Sequence, residues 1–318
     1  MVAAIKAVRK SPVLTASSLA CLSTMPTINL TAGCLHNCAY CYIRGYRTYP
    51  GDNKIAVYAN TLEKLRSELG RRRTKPRAVY FSPSSDLFQP VPEVLELADA
   101  ILRFLFSKGI GVAFLTKGRI PEGTLSLLTD NAELVRAQIG IITLDEGISQ
   151  AFERNAASPQ GRLAQIEVLT KGGVLTEARL DPILPGLTDD DRSADRLFAA
   201  LAQVGVKRAA IGVLFLRPAI VASLRGNVSD KEMLARLLSQ YRQRDQISIR
   251  ANNGSSVQTL PLEARREIFA RMAAAAAAHG IELSICACKN SDLARGSCNI
   301  AGAWPRQQPC AVQPLLVK

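Results

Sequence analysis

The chain has 318 residues, 47% of them hydrophobic, which suits either one large α/β barrel or two domains with a real core. Its 40 Lys and Arg outnumber 27 Asp and Glu, and the formal charge of +13 admits nucleic acid or another anionic partner. With only His36 and His279, Ser-His-Asp hydrolysis, zinc–histidine hydrolysis and histidine acid–base chemistry fall away, and 5% aromatic residues offer no stacking platform for bases.

In chain order, the N-terminus carries Lys6, Arg9 and Lys10, followed by a polar stretch with Pro12 in place of a clean apolar run. We read it as retained and not as a cleaved secretory signal. Candidate strands then fall at 27–30, 78–81, 111–116, 138–143, 175–180 and 209–216, separated by helical patterns. Val94, Leu97, Ile101 and Leu105 keep one helix face, as do Leu163, Ile166 and Leu169. Pro121 fits a helix start, and Asp189, Asp190 and Asp191 fit a helix N-terminus, where carboxylates oppose the positive dipole end. The most apolar region, 101–115, is interrupted by Arg103 and Lys108, so nothing reads as a membrane span.

Six β-then-α units imply parallel strands in an α/β fold, a partial (β/α)6 TIM-type barrel over residues 1–228 with its N-terminal lead-in. Residues 229–318 read as a helical, Cys-rich C-terminal cap, with helical patterns at 231–241 and 262–279. Barrel chemistry sits at the C-terminal ends of the strands. The turns expected there are the cysteine loop, then SPSSDLFQP, TKG, TLDEG, DPILPG and RPAI, all polar and most with Gly or Pro. A basic cluster of Arg71, Arg72, Arg73, Lys75 and Arg77 is read as a solvated loop, with nucleic-acid binding as its functional alternative.

The eight cysteines are not spaced as a disulfide framework. Cys34, Cys38 and Cys41 form C-x3-C-x2-C; Cys286, Cys288, Cys298 and Cys310 form C-x-C-x9-C-x11-C; Cys21 stands apart and reads as a small core residue. Such groups are metal ligands of a reducing compartment, and the expected localisation is cytoplasmic. An electron-transfer iron–sulfur cluster takes four cysteines, so three in one loop leave one iron open for an outside ligand. The C-terminal group reads as a second metal centre, either an auxiliary [4Fe–4S] cluster or a four-cysteine zinc site.

C-x3-C-x-aromatic-C placed just after the first strand of a β/α barrel resembles the radical S-adenosylmethionine (SAM) superfamily. SPVLT, YFSPSSDLFQPVPEV, FLTKG, ITLDE, FERNAASPQGRLAQIEVLTKGG and DPILPGLTD follow in order the pattern of its spore photoproduct lyase-like branch, roughly over residues 11–190. The resemblance implies a [4Fe–4S] cluster on Cys34, Cys38 and Cys41. The open iron would chelate SAM, whose reductive cleavage would release a 5′-deoxyadenosyl radical. It implies Tyr40 beside the adenine, Ser84 and Ser85 at the cofactor's amino-acid end or ribose, and Lys117 paired with its carboxylate. Thr143 and Arg179 are further candidates for that task.

Asp86, in the turn after the second strand, is the candidate catalytic residue, to bind substrate or take a proton, unless it caps the turn. The DNA-repairing lyase carries a hydrogen-donating cysteine beside this turn; FSPSSDLFQP has none, which counts against spore photoproduct repair itself. The expected partners are a small-molecule or peptide substrate and a reductant such as flavodoxin or ferredoxin. Three rival readings stay open: a SAM-cleaving methyl or aminocarboxypropyl transferase, a nucleic-acid lyase or repair enzyme, and a non-enzymatic iron–sulfur sensor.

Overall fold

A computed structural model describes residues 3–17, 19–249 and 255–294. Seven strands, β1 (Pro26–Ile28), β2 (Ala78–Phe81), β3 (Gly111–Thr116), β4 (Val135–Gly140), β5 (Leu175–Ile183), β6 (Arg208–Val213) and β7 (Glu282–Ile285), run parallel in sequence order. Thr15–Ala16 adds an antiparallel strand beyond β1. Among the described residues the eight-stranded sheet is open and does not close on itself.

Helices intervene as the βα pattern requires: α1 (Thr61–Arg71), α2 (Pro92–Phe106), α3 (Glu122–Asp130), α4 (Glu146–Phe152), α5 (Pro159–Lys171) and α6 (Asp191–Gln203). After β6 come α7 (Pro218–Asn227), α8 (Lys231–Ser239) and α9 (Leu262–Ala278). Their ends carry the expected chemistry. Pro121 precedes α3, Ser158 and Asp190 accept from Gly161 N and Ser193 N to cap α5 and α6, and Pro159 opens α5. No helix among the described residues is long and apolar enough to cross a membrane.

All six predicted parallel strands are present; 78–81 and 111–116 keep their expected ends, and the other four are shifted. The fourth runs Val135–Gly140, not 138–143, and all six of its residues are buried. Val135, Ala137 and Ile139 alternate with Arg136, Gln138 and Gly140, whereas the expected range followed the apolar Ile141 and Ile142, which lie beyond the ladder. The sixth stops at Val213, and the apolar run 214–216 continues outside the ladder. Leu214 N donates to Ile183 O at 3.0 Å, and Leu216 bridges Gln258 of an antiparallel hairpin, Asp245–Ile249 with Ser255–Thr259.

The seventh parallel strand, ELSI, was not among the predicted ones. It pairs with β6 and delivers Cys286 directly at the C-terminal end of the sheet. The cysteine loop emerges at the same rim. A second small sheet supports it, in which Lys54–Tyr58 pairs parallel with Ala3–Ala7 and antiparallel with Thr31–Ala32. The cluster Arg71, Arg72, Arg73, Lys75 and Arg77 precedes β2 and so lies at the opposite, N-terminal rim.

Two glycines at the rim are required by close approach. A Cβ on Gly118 would lie 2.0 Å from the Phe88 carbonyl oxygen, and one on Gly140 would lie 2.8 Å from the Lys117 side chain. Gly118→Ala should cost about 3 kcal/mol, because backbone must move. Gly123→Ala, in α3 with nothing within 4 Å of the new methyl, should gain up to about 1 kcal/mol. Urea unfolding of the two variants measures both; equal midpoints would contradict this packing.

Candidate active site

The C-x3-C-x2-C loop is tied down from two sides. Gln89, after β2, accepts from Leu35 N and donates to Thr31 Oγ1, both at 2.8 Å. From the α4–α5 connection, Asn155 Nδ2 donates to Leu35 O at 2.8 Å, while Ala39 N donates to Phe152 O at 2.8 Å. Asn37 takes a left-handed φ of 49°, which an Asn tolerates, and so turns the chain between Cys34 and Cys38. Cys38 is buried and Cys34 and Cys41 are half-buried. All three line a cavity of about 520 Å³ at the C-terminal rim of the sheet. Burial pushes all three thiols up from their ordinary range, with Asp86 adding to the effect at Cys34 and Glu153 at Cys38. Buried thiols of this kind ionise when a metal supplies positive charge.

Tyr40 donates from its hydroxyl to Glu153, which is 1% exposed. Glu153 also pairs with Arg162 and with Lys117 Nζ at 3.2 Å. Burial alone would raise this carboxyl; Lys117 and Arg162 outweigh it, and with the Tyr40 hydroxyl hold Glu153 down to about 2. Lys117 Nζ further donates to Asp181 O at 3.2 Å, and its ammonium lies 5.7 Å from the Tyr40 ring centroid. Tyr40 and Lys117 therefore form one wall, fixed from behind by Glu153.

Asp86 lines the same cavity with its carboxylate saturated. Oδ1 accepts from Phe88 N at 2.8 Å and Thr116 Oγ1 at 2.7 Å, Oδ2 accepts from Lys117 N at 2.9 Å, and His36 Nε2 lies 3.2 Å from Oδ2. Burial would raise it, but the His36 imidazole and these donors hold it below the usual carboxylate range. The Asp86 contacts join the cysteine loop to the turns after β2 and β3.

Of the serines, Ser84 donates from Oγ to Asn29 Oδ1 at 3.0 Å. Ser82 and Ser85 keep buried hydroxyls with no hydrogen-bond partner among the described residues, and both line the cavity. Ser82 holds a positive φ of 53°, a strain that a bulky residue rarely carries outside functional turns. Arg179, on β5, donates from Nη2 to Asp181 Oδ2 at 2.8 Å and to Cys286 Sγ at 3.3 Å. Lys289 Nζ reaches the other oxygen of Asp181 at 2.6 Å. Together, Lys289 and Arg179 lower the Asp181 carboxyl against its burial.

The cavity thus gathers Cys34, Cys38, Cys41, Tyr40, Ser84, Ser85, Asp86, Lys117 and Arg179, together with Cys286 and Cys288. Thr143 is not in its lining; the Thr143 hydroxyl accepts from Asp145 N at 3.0 Å and shapes the turn before α4. Cys298 and Cys310 lie outside the described residues. Among the described residues, no three His, Cys, Asp or Glu side chains converge closely enough to hold a single metal ion. The thiolates of an iron–sulfur cube each bind their own iron and stand further apart.

Sequence reasoning missed Glu153, Arg162, Asp181 and Lys289. Glu153 and Arg162 stand in FERNAASPQGR, which carried part of the resemblance, but nothing in their spacing ties them to Tyr40 or Lys117.

The model of the radical SAM superfamily matches residues 28–199. The chain belongs to that superfamily. The matched span opens in β1, takes in the thiol loop and the Lys117 turn, and ends within α6. Among curated relatives, it is 28% identical over 200 residues to Rv2578c, an uncharacterized protein of Mycobacterium tuberculosis, covering 60% of this chain and 59% of that one. It is 30% identical over 173 residues to a radical SAM Nalpha-GlyT isomerase of Pseudomonas phage M6, covering 54% of this chain and 35% of that one. The chain therefore spans about three-fifths of the mycobacterial relative and about a third of the phage enzyme. Among solved structures, spore photoproduct lyase with bound AdoMet and dinucleoside spore photoproduct superposes with a TM-score of 0.68. That match covers 89% of this radical SAM chain and 81% of the lyase at 17% identity, a likeness of fold.

A carboxyl held at about 2 against an ordinary 4.5 contributes stability on the order of 3 kcal/mol. Because the folded value is lowered, that contribution is complete above the unfolded value of 4.5 and is lost as pH falls toward about 2. Glu153→Gln should therefore be several kcal/mol less stable than wild type at pH of about 7, with the gap narrowing below pH of about 4.5. Denaturant unfolding across pH tests this, and a gap independent of pH would contradict it.

Proposed function

We propose that this chain is a radical SAM enzyme that starts radical chemistry on a small-molecule or peptide substrate held in the rim cavity. The observation that carries the reading is the shared wall: three buried or half-buried thiols, two buried hydroxyls without partners among the described residues and the Lys117 ammonium, all facing about 520 Å³. Cys34, Cys38 and Cys41 would hold a [4Fe–4S] cluster. When bound, the cluster and SAM supply a 5′-deoxyadenosyl radical on one-electron reduction. A flavodoxin- or ferredoxin-type protein is the proposed reductant.

The chain's own residues set where the cofactor lies. Ser82 and Ser85 donate to its polar groups, and their desolvated hydroxyls gain partners on binding. Lys117 complements its carboxylate, with Glu153 keeping the ammonium placed and Asp86 bonding the Lys117 backbone. The Tyr40 ring forms the apolar side against the adenine. Asp86 braces the thiol loop through His36 and is proposed as a positioning residue, since its oxygens already accept from three donors and His36 Nε2 lies 3.2 Å from Oδ2. Arg179 and Lys289, clamped on Asp181, face the part of the cavity beyond the loop and suit an anionic substrate group.

Cys286 and Cys288 are proposed ligands of a second, auxiliary [4Fe–4S] centre. The Arg179 N–H directed at Cys286 Sγ supports that reading, since hydrogen bonds to ligand sulfurs tune such clusters. The basic cluster from Arg71 to Arg77 lies at the far rim of the sheet, which speaks against its feeding nucleic acid into this cavity.

Anaerobic incubation with dithionite and SAM should release 5′-deoxyadenosine. Methylthioadenosine or S-adenosylhomocysteine would instead mark a group transferase, and no SAM cleavage with a full iron load would mark a sensor. Lys117→Ala should weaken SAM binding by about 10- to 100-fold, the loss of one charge-assisted contact. SAM titration of the wild-type and variant cluster spectra measures it, and unchanged affinity would remove Lys117 from the cofactor site.

A further inference from the structure

Cys21 does not behave as the isolated core residue that its place in the sequence implies. It sits on a short 3-10 turn, Ala20–Leu22, in the lead-in to β1. Its backbone N–H points at Cys288 Sγ at 3.4 Å, across a sequence separation of 267. Cys286 and Cys288 are both buried and pack around Ala210 of β6, and Cys21 packs against that same small group. All three residues line the rim cavity.

Among the described residues, N–H groups are aimed at the sulfurs here: Cys21 N at Cys288 Sγ, and the Arg179 guanidinium at Cys286 Sγ at 3.3 Å. A thiol sulfur is a weak acceptor, whereas a thiolate on iron is a good one, and backbone and guanidinium donors are the usual outer partners of such sulfurs. The Ala210 side chain at the floor of the group adds no bulk beyond its Cβ. Three cysteines from opposite ends of the chain share one part of the cavity wall, with donors directed at two of their sulfurs, an arrangement that suits separate corners of a cluster and not a single ion.

We propose that Cys21, Cys286 and Cys288 hold three corners of the auxiliary [4Fe–4S] cluster, which opens on the same cavity as Cys34, Cys38 and Cys41. This deepens the two-cluster reading and rests on it. Each thiol gives up its proton as it binds iron, and Arg179 stabilises the resulting charge at Cys286. The N-terminal lead-in thereby becomes part of the active-site wall, held to β7 through the metal.

The test is anaerobic reconstitution with ferrous iron and sulfide, followed by iron and sulfide counts and EPR. Wild type should carry about eight iron per chain and Cys286→Ala/Cys288→Ala about four, since each cluster holds four. Cys21→Ala should fall to about four, or show the EPR signal of an oxidised [3Fe–4S] form that wild type lacks. Cys21→Ser, close in volume to the thiol, should shift the auxiliary-cluster spectrum while the SAM-induced change of the loop cluster persists, which also certifies the fold. Cys21→Ala and Cys21→Ser both with about eight iron and wild-type spectra, alongside a double variant at about four, would overturn the role of Cys21 and leave the second cluster standing. A wild type with about four iron would overturn the two-cluster reading itself.

Discussion

Charge compensation inside a buried wall governs the architecture of this rim. Glu153, Asp86 and Asp181 are all carboxylates lining or backing the cavity, and each is held ionised against burial by its own donors. Lys117 and Arg162 serve Glu153; His36, Thr116 and two backbone amides serve Asp86; Arg179 and Lys289 serve Asp181. Removing a cationic partner leaves a buried carboxylate only partly compensated, which is costlier than losing a surface pair. The thiols of Cys34, Cys38 and Cys41 are pushed up instead, because burial outweighs the pull of Lys117 and Arg162 at Cys38 and of Arg44, Lys117 and Lys289 at Cys41. A bound metal centre would supply the positive charge that lets these thiols ionise.

This balance also explains how the loops after separate strands act as one unit. Asp86, after β2, bonds the backbone of Lys117, after β3. Lys117 reaches Glu153, past α4, and the backbone of Asp181 on β5. Gly118 and Gly140 make that convergence sterically possible, one by admitting the Phe88 carbonyl and the other by admitting the Lys117 side chain. A substitution in one loop is therefore transmitted to the others through charged contacts.

Much of this was legible in the sequence. The six strands, the helix caps and the thiol loop are local patterns, written within a few residues by period, turn chemistry and cysteine spacing. The resemblance to radical SAM proteins rested on that loop, and the family match confirms it. The rest depends on contacts between distant residues. Glu153 meets Tyr40 across 113 positions and Cys21 meets Cys288 across 267, and no periodicity encodes such pairs. β7 is only four residues long and follows an alanine-rich helix, too little for an alternation to show. Strand β4 was displaced because buried Arg136 and Gln138 read as polar positions, while the apolar Ile141 and Ile142 past its end read as strand.

The central claim is that Cys34, Cys38 and Cys41 leave one iron open for SAM within the cavity that Lys117 and Tyr40 wall. Electron–nuclear double resonance on the reduced protein with SAM labelled by nitrogen-15 at its amino group addresses it most directly. A nitrogen-15 coupling in wild type that persists in Cys286→Ala/Cys288→Ala and disappears in Cys38→Ala is the result this account predicts. No coupling in fully iron-loaded wild type, or a coupling that survives in Cys38→Ala and is lost with Cys286 and Cys288, would contradict it.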